Sequence, residues 1–339
     1  MITFYPGPSK VYPRVADYAH EAIRKGVVSL NHRSPGFMAI LKETIRLLHE
    51  KLEIPSDYHI AFVSSATECW EIIAQSMTVT TSLHLYKGAF GQKWMEYAYR
   101  IKPPIILGEA DVLCIVQNET SNGSQVRMDS LADFRREFTG LIAVDATSSM
   151  AGIEFNWELA DVWFASVQKC FGLPAGLGIL VYSPKALERA QVIDDRQHYN
   201  SLLFIHENFA KGQTHYTPNG LDIYLLLCVL QQVPPIKEVA EMVRERAANW
   251  YQFFKEEQPH WELLIKDKKQ QSDTVIAVQG SEAAVKSIKQ AAQQQGIILG
   301  NGYGDWKTNT FRIANFPAIE DGEIRKLKEF LRSWRPEAE

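Results

Sequence analysis

Between residues 58 and 182 the chain alternates short apolar runs with segments of helical pattern, and nothing else in it limits the fold as strongly. Residues 60–63, 83–86, 112–117, 141–145, 162–167 and 177–182 read as strands. Residues 66–77, 88–100 and 130–138 between them read as helices. Strands without a polar face are covered on both sides, which predicts a mostly parallel sheet with helices on both faces. In such sheets ligands bind at the carboxyl ends of the strands.

The flanks complete an α/β reading. Residues 1–10 form an extended arm bent at Tyr5-Pro6-Gly7-Pro8, and 11–25 a helix stopped at Gly26. Ser34 is a good N-cap with Pro35 in the first helical position. Phe37, Leu41, Ile45, Leu48 and Leu52 then share one helix face as core. Residues 221–233 are an apolar helix, Pro234-Pro235 breaks the chain, and 236–257 read as a long helix. Strands at 262–265, 274–278, 297–299 and 311–314, with helices at 283–294 and 320–334, predict a smaller α/β domain. The expected division is an N-terminal arm over 1–12, a large domain over 13–235 and a small one over 236–339, with 336–339 frayed.

Composition excludes several classes. With 339 residues, 46% hydrophobic, 22% charged and a net charge of −4, the chain has no basic footprint for nucleic acid. Cys69, Cys114, Cys170 and Cys228 are far apart, so neither a metal site nor a disulfide framework is expected. The first residues lack a charged start followed by an apolar run, and the apolar stretch at 224–230 is too short for a bilayer. The expected setting is cytoplasmic, with no membrane partner.

One lysine stands out. Lys169 ends the apolar run 162–167 with Gln168, and Gly172, Pro174, Gly176 and Gly178 impose a turn before the next strand. Two readings stay open on this stretch: a surface-loop lysine, or a Schiff-base lysine carrying pyridoxal phosphate. Other strand ends bear on the choice. Ser64-Ser65-Ala66-Thr67-Glu68 is either a plain capped helix start or a small-residue cradle for an anion at a helix N-terminus. Asp145 ends a fully apolar strand; it either caps the following turn or pairs with a pyridine nitrogen. Thr120 lies in the polar turn Asn118-Glu119-Thr120-Ser121-Asn122-Gly123 at the same edge.

Taken together, the Asp145 strand, Ser166-x-x-Lys169 with its glycine turn, Thr120 and the small-residue loop resemble the class V aminotransferases, fold type I of the pyridoxal-phosphate enzymes. Gly7-Pro8, His32-Arg33, Asn118-Glu119-Thr120 and Gln168-Lys169 are most similar to the phosphoserine aminotransferase branch. The resemblance implies a ping-pong transfer of an amino group between phosphoserine and 2-oxoglutarate, in serine biosynthesis. It also implies that Lys169 carries the cofactor and moves the proton, and that Asp145 pairs with its ring nitrogen. Gln168, Ala66 and Thr67 would hold its phosphate, Thr120 would lie by its hydroxyl, and Phe90 would stack on it. Tyr216 and Thr217 would reach the phosphate of the other subunit of a homodimer with shared sites. Arg312 would take the substrate α-carboxylate, and His32 and Arg33 its distal anion.

Three positions depart from the branch: Thr67 stands for an arginine, Phe90 for a tryptophan and Tyr216 for an asparagine. Gly302-Tyr303-Gly304 and Thr310-Phe311-Arg312-Ile313 also resemble the alanine–glyoxylate branch, so alanine or serine transfer to glyoxylate is an alternative. A lyase or cysteine desulfurase on the same fold is another, and needs a mobile reactive cysteine.

Overall fold

Runs such as Leu141-Ile142-Ala143-Val144 have no side suited to water, and all of their residues are buried. The computed structural model describes residues 1–105 and 109–335. In chain order its elements are β1 (Ile2–Phe4), α1 (Val15–Arg24), α2 (Pro35–Leu52), β2 (His59–Val63), α3 (Ala66–Ser76), β3 (Ser82–Leu85), α4 (Ala89–Ile101) and β4 (Val112–Val116). A short hairpin, β5 (Asn118–Glu119) and β6 (Ser124–Gln125), precedes α5 (Met128–Glu137), β7 (Leu141–Asp145), β8 (Val162–Ser166) and β9 (Gly178–Tyr182). Then come α6 (Pro184–Ile193), α7 (Leu202–Phe209), α8 (Gly220–Leu230), α9 (Ile236–Glu257), β10 (Glu262–Leu263), β11 (Val275–Gln279), α10 (Glu282–Gln294), β12 (Ile297–Asn301), β13 (Thr310–Ala314) and α11 (Asp321–Ser333).

The larger sheet has six strands in the order β2-β9-β8-β7-β4-β3. Only β9 runs against its neighbours; β8, β7, β4 and β3 are mutually parallel. Alternate residues feed opposite faces. Trp163, Val144, Ile115 and Phe62 pack under α2 and α8, whereas Phe164, Ala143, Cys114 and Ala61 pack under α3 and α4. Both clusters are apolar, which is why the central strands β4, β7 and β8 carry no polar side chain until their ends.

Register decides where those ends fall. Asp145 pairs with Val116 of β4 and with Phe164 of β8. The turns after β4, β7 and β8 therefore leave one edge together, bringing Thr120, Asp145 and Lys169 to it.

A five-stranded sheet, β1-β12-β13-β11-β10, has its own core of Trp250, Phe254, Phe311 and Ile313. Its edge strand comes from the start of the chain, where Ile2–Phe4 lie parallel to Ile297–Leu299. The arm then crosses to the lysine turn: the Ser9 N–H donates to Gln168 O at 3.0 Å and the Tyr12 N–H to Gly172 O at 2.9 Å.

Most expected elements appear with ends moved by at most four residues. The helix expected over 11–25 spans Val15–Arg24, and Ser34 caps α2 by accepting from the Phe37 N–H at 3.3 Å. β1, the β5–β6 hairpin, α6 and α7 are additions to the expected set. The C-terminal segment 336–339 lies outside the described residues.

Gly172 closes the lysine turn with φ +61°, and a Cβ there would lie 2.7 Å from the Tyr12 ring and 2.9 Å from Ala318. Both the conformation and the space exclude a side chain. Gly172→Ala should lower unfolding free energy by about 2 kcal/mol in urea titrations. An unchanged midpoint would mean that the arm and the turn are not mutually packed.

Candidate active site

A cavity of about 390 Å³ opens at the carboxyl edge of the large sheet, between that sheet, the arm and the small sheet. Ala66, Thr67, Phe90, Thr120, Asp145, Gln168, Lys169 and Arg312 all line it. Residues expected at separate strand ends thus meet in one place.

Lys169 follows the buried strand β8 and is itself only 8% exposed. Its Nζ donates to Thr120 Oγ1 at 2.8 Å and lies 5.3 Å from the Phe90 ring centre. Burial pulls the ammonium pKa down from 10.5 to about 8, against the opposing pull of Asp145 and Glu119. Lys169 is therefore not a surface-loop lysine: the glycine turn folds inward, and the arm covers it. A Cβ on Gly7 would lie 3.0 Å from Lys169 Cε, so the arm's backbone forms part of the amine's enclosure.

Asp145 is buried, and Oδ1 accepts from the Thr147 N–H at 2.9 Å. Desolvation pushes its carboxyl above the ordinary aspartate range, with Thr147 and Lys169 pulling the other way. Thr147 Oγ1 beside it is buried without a partner. At the start of α3, the Ala66 N–H donates to Ser166 Oγ at 2.8 Å and the Glu68 N–H to the cap Ser65 Oγ at 3.2 Å. Thr67, between them, faces the cavity.

Arg312 enters from β13 of the small sheet and is 3% exposed. Nη1 donates to Thr120 O and Nε to Asn301 O, each at 2.6 Å. Thr120 thus serves the lysine with its hydroxyl and the arginine with its carbonyl. Glu119 supports the next wall: its carboxylate accepts from the Gly91 N–H at 3.2 Å, holding the first turn of α4 that presents Phe90.

His32, Arg33, Tyr216 and Thr217 do not line the cavity within one chain. His32 and Arg33 lie in the turn before α2, with Arg33 exposed; burial and the neighbouring Arg33 charge lower the His32 pKa. Tyr216 is half-buried, with a hydroxyl lacking any partner, and Thr217 is exposed.

Several lining residues were not anticipated as contributors: Tyr5, Pro6 and Pro8 of the arm, Trp70 of α3, Lys93 and Tyr97 of α4, and Tyr303. Lys93 and Tyr97 follow Phe90 at helical spacing, a signal present in the sequence. Tyr303 stacks on Phe90 with centroids 4.9 Å apart.

The fold and this cavity define an α/β enzyme whose site lies where the large sheet, the arm and the small sheet meet. The family model of the class-V aminotransferases matches residues 101–304. A phosphoserine aminotransferase from Corynebacterium glutamicum is 28% identical over 95% of this chain and 91% of its own. The crystal structure of a phosphoserine aminotransferase from Cytophaga hutchinsonii superposes with a TM-score of 0.92, at 30% identity and 98% coverage of both chains. An alanine–glyoxylate aminotransferase from Nostoc shares the fold at TM-score 0.82 and 18% identity, over 98% of this chain and 94% of its own.

The chain belongs to the class-V aminotransferases and has the fold of type I pyridoxal-phosphate enzymes. It is an enzyme that transfers amino groups, and its family implies pyridoxal phosphate as cofactor. Among the described residues no group of side chains is arranged to hold a metal, and no helix is long and apolar enough to cross a membrane.

The depressed Lys169 pKa carries a consequence for stability. Between pH 8 and 10.5 the unfolded chain holds a proton on this lysine that the folded chain has released, so stability rises with pH over that window. Below pH 8 both states are protonated and the burial cost is fully felt. Lys169→Met in the cofactor-free chain should therefore be more stable than wild type below pH 8. The gain, about 3 kcal/mol at most, should shrink toward pH 10.5 in denaturant titrations. Parallel pH profiles for the two proteins would contradict the assigned burial.

Proposed function

We propose that the enzyme is a phosphoserine:2-oxoglutarate aminotransferase of serine biosynthesis, working by a ping-pong mechanism. The observation that carries the reading is the Lys169–Thr120–Arg312 chain: a buried amine with a lowered pKa and a buried guanidinium share one threonine. Supporting the choice of substrate are the relatives named phosphoserine aminotransferase at nearly full coverage of both chains.

The donor set suits the cofactor. An unpaired Thr147 hydroxyl and a buried carboxylate at the cavity wall fit a cationic ring nitrogen, and a helix N-terminus fits a phosphate. Lys169 would hold the cofactor covalently, Asp145 its ring nitrogen, Thr120 its hydroxyl side and Phe90 its face. Gln168, Ala66 and Thr67 would hold its phosphate, with Thr67 and the helix dipole as main contributors because the Ala66 N–H is engaged by Ser166. When bound, pyridoxal phosphate supplies an electron sink that acidifies the Cα–H of the amino donor.

The chain's own groups do the rest. Arg312 takes the donor α-carboxylate bidentately and fixes Cα beside Lys169. Lys169 Nζ withdraws the Cα proton in its uncharged form, which a pKa of about 8 makes far more accessible than the ordinary 10.5 would. In the second half-reaction it returns a proton to Cα of the newly formed amino acid. The arm and the stacked Phe90 and Tyr303 rings limit water at that carbon.

His32, Arg33, Tyr216 and Thr217 act in this reading on the site of a second copy. Exposed apolar side chains flank both segments: Val28 and Leu30 before His32, Tyr199 and Phe204 beside His215 and Tyr216. Such surface suits burial in a two-fold interface. Mixing Lys169→Ala with Arg33→Ala chains through a denature–refold cycle should regenerate one intact site per mixed dimer. About a quarter of wild-type phosphoserine turnover is expected. No recovery with confirmed mixed dimers would mean that Arg33 serves its own chain's site.

Thr67 offers no charge for a distal phosphate, which favours a second reading, alanine or serine transfer to glyoxylate. A desulfurase has no support, since all four cysteines are buried and burial raises each thiol pKa. Comparing kcat/KM for phosphoserine, glutamate, alanine and serine separates the two. Wild type should favour phosphoserine, and Arg33→Ala should lose at least tenfold on phosphoserine and glutamate with less than twofold on alanine. A wild-type preference for alanine or serine that survives Arg33→Ala would move the enzyme to the glyoxylate reading.

A further inference from the structure

Lys93 is the cavity's unassigned cation. It follows Phe90 by three positions and precedes Tyr97 by four on α4, so the three share a helix face, and all line the cavity. Its Nζ donates to the Tyr303 hydroxyl at 2.6 Å and stands 5.0 Å from the Tyr303 ring centre and 5.9 Å from that of Phe90. The Arg312 guanidinium lies 5.7 Å from the same Tyr303 ring, and Lys169 Nζ 5.3 Å from the same Phe90 ring. Lys93, Lys169 and Arg312 therefore border one pair of stacked rings, and among the described residues Asp145 is the one carboxylate lining the cavity.

Two of those cations have work to do. Lys169 is held by Thr120, and Arg312 is fixed by two carbonyls with its remaining donors free for a carboxylate. Lys93 has no acidic partner among the described residues; a phenol oxygen is its acceptor. That neutral contact leaves the charge on an exposed ammonium, with Glu96 nearby also favouring the charged form. The hydrogen bond to Tyr303 raises the ammonium pKa, so the charge persists at neutral pH. A lysine stem is long enough to swing its head from the phenol to an incoming anion, and its three donors suit oxygen-rich groups.

We infer that Lys93 is the in-chain cation for the distal anionic group, phosphate or carboxylate, of a substrate whose α-carboxylate sits on Arg312, with Tyr303 holding the ammonium in place until that group arrives. The inference rests on the anionic-substrate reading above. It fills the place that Thr67 leaves without charge, from a different element and without an arginine.

The test uses the holoenzyme of wild type, Lys93→Gln and Lys93→Arg. Inhibition constants are measured for glutarate, which carries two carboxylates, and butyrate, which carries one. Then kcat and KM are measured for phosphoserine and alanine, with cofactor content followed by absorbance after dialysis. Lys93→Gln should weaken glutarate by about tenfold, leave butyrate within twofold, and lose phosphoserine kcat/KM mainly through KM. Lys93→Arg should restore most of the loss. If wild type prefers phosphoserine but Lys93→Gln leaves glutarate and phosphoserine unchanged, the role of Lys93 is overturned and the substrate reading stands. It is likewise overturned if Lys93→Gln sheds cofactor and weakens glutarate and butyrate alike. If wild type itself prefers alanine to phosphoserine, the substrate reading fails and this inference fails with it.

Discussion

The bond pair on Thr120 organises the molecule. Its hydroxyl accepts from a lysine on the large sheet and its carbonyl from an arginine on the small one. Both donors carry charges that burial disfavours, as the lowering of their pKa values records. Among the described residues neither has a carboxylate in ion-pair contact, and neutral oxygens accept their hydrogen bonds. That leaves the amine reactive and the guanidinium available. A direct ion pair at either position would have quenched the group it stabilised.

The residues beside Thr120 extend the same arrangement. Asn118 donates to Ser148 Oγ at 2.8 Å and to Thr274 Oγ1 at 2.9 Å, and accepts from Ser272 Oγ at 2.6 Å, so it fastens the two sheets. Glu119 anchors the start of α4, and with it the helix face bearing Phe90 and Lys93. Three consecutive residues thus tie the small sheet, the aromatic wall and the lysine to one turn. Each of their side chains is buried, so loss of any partner would leave a buried polar group unsatisfied. The arm adds a further tie, because it is an edge strand of the small sheet at one end and covers Lys169 at the other.

Much of the fold was legible because burial writes itself locally. Strands covered on both faces must be apolar throughout, and β4, β7 and β8 are; their polar residues begin where the strands end. Other elements carried signals that went unused. Ser183-Pro184 starts α6 with the same cap and proline as Ser34-Pro35 at α2, and Ser201 caps α7. β1 carried no signal: a short run at a chain end becomes a strand only because an open edge at β12 waits for it. At the site, Lys169 and Asp145 were readable as polar residues closing apolar strands. Lys93 was readable only as a helix-face neighbour of Phe90; its contact with Tyr303, 210 positions on, has no local signal.

The sequence by itself determined most of the strands and helices, β1 excepted, which strands are wholly buried, and which polar residues end them, because those depend on side-chain periodicity and local backbone preference. Tertiary structure decided which ends coincide. Thr120 and Arg312 are 192 positions apart, and Lys93 meets Tyr303 across 210. Such contacts follow from strand register, from sheet order and from the arm crossing between the sheets. No local pattern encodes these, because they are fixed only when the burial demands of all the segments are satisfied at once.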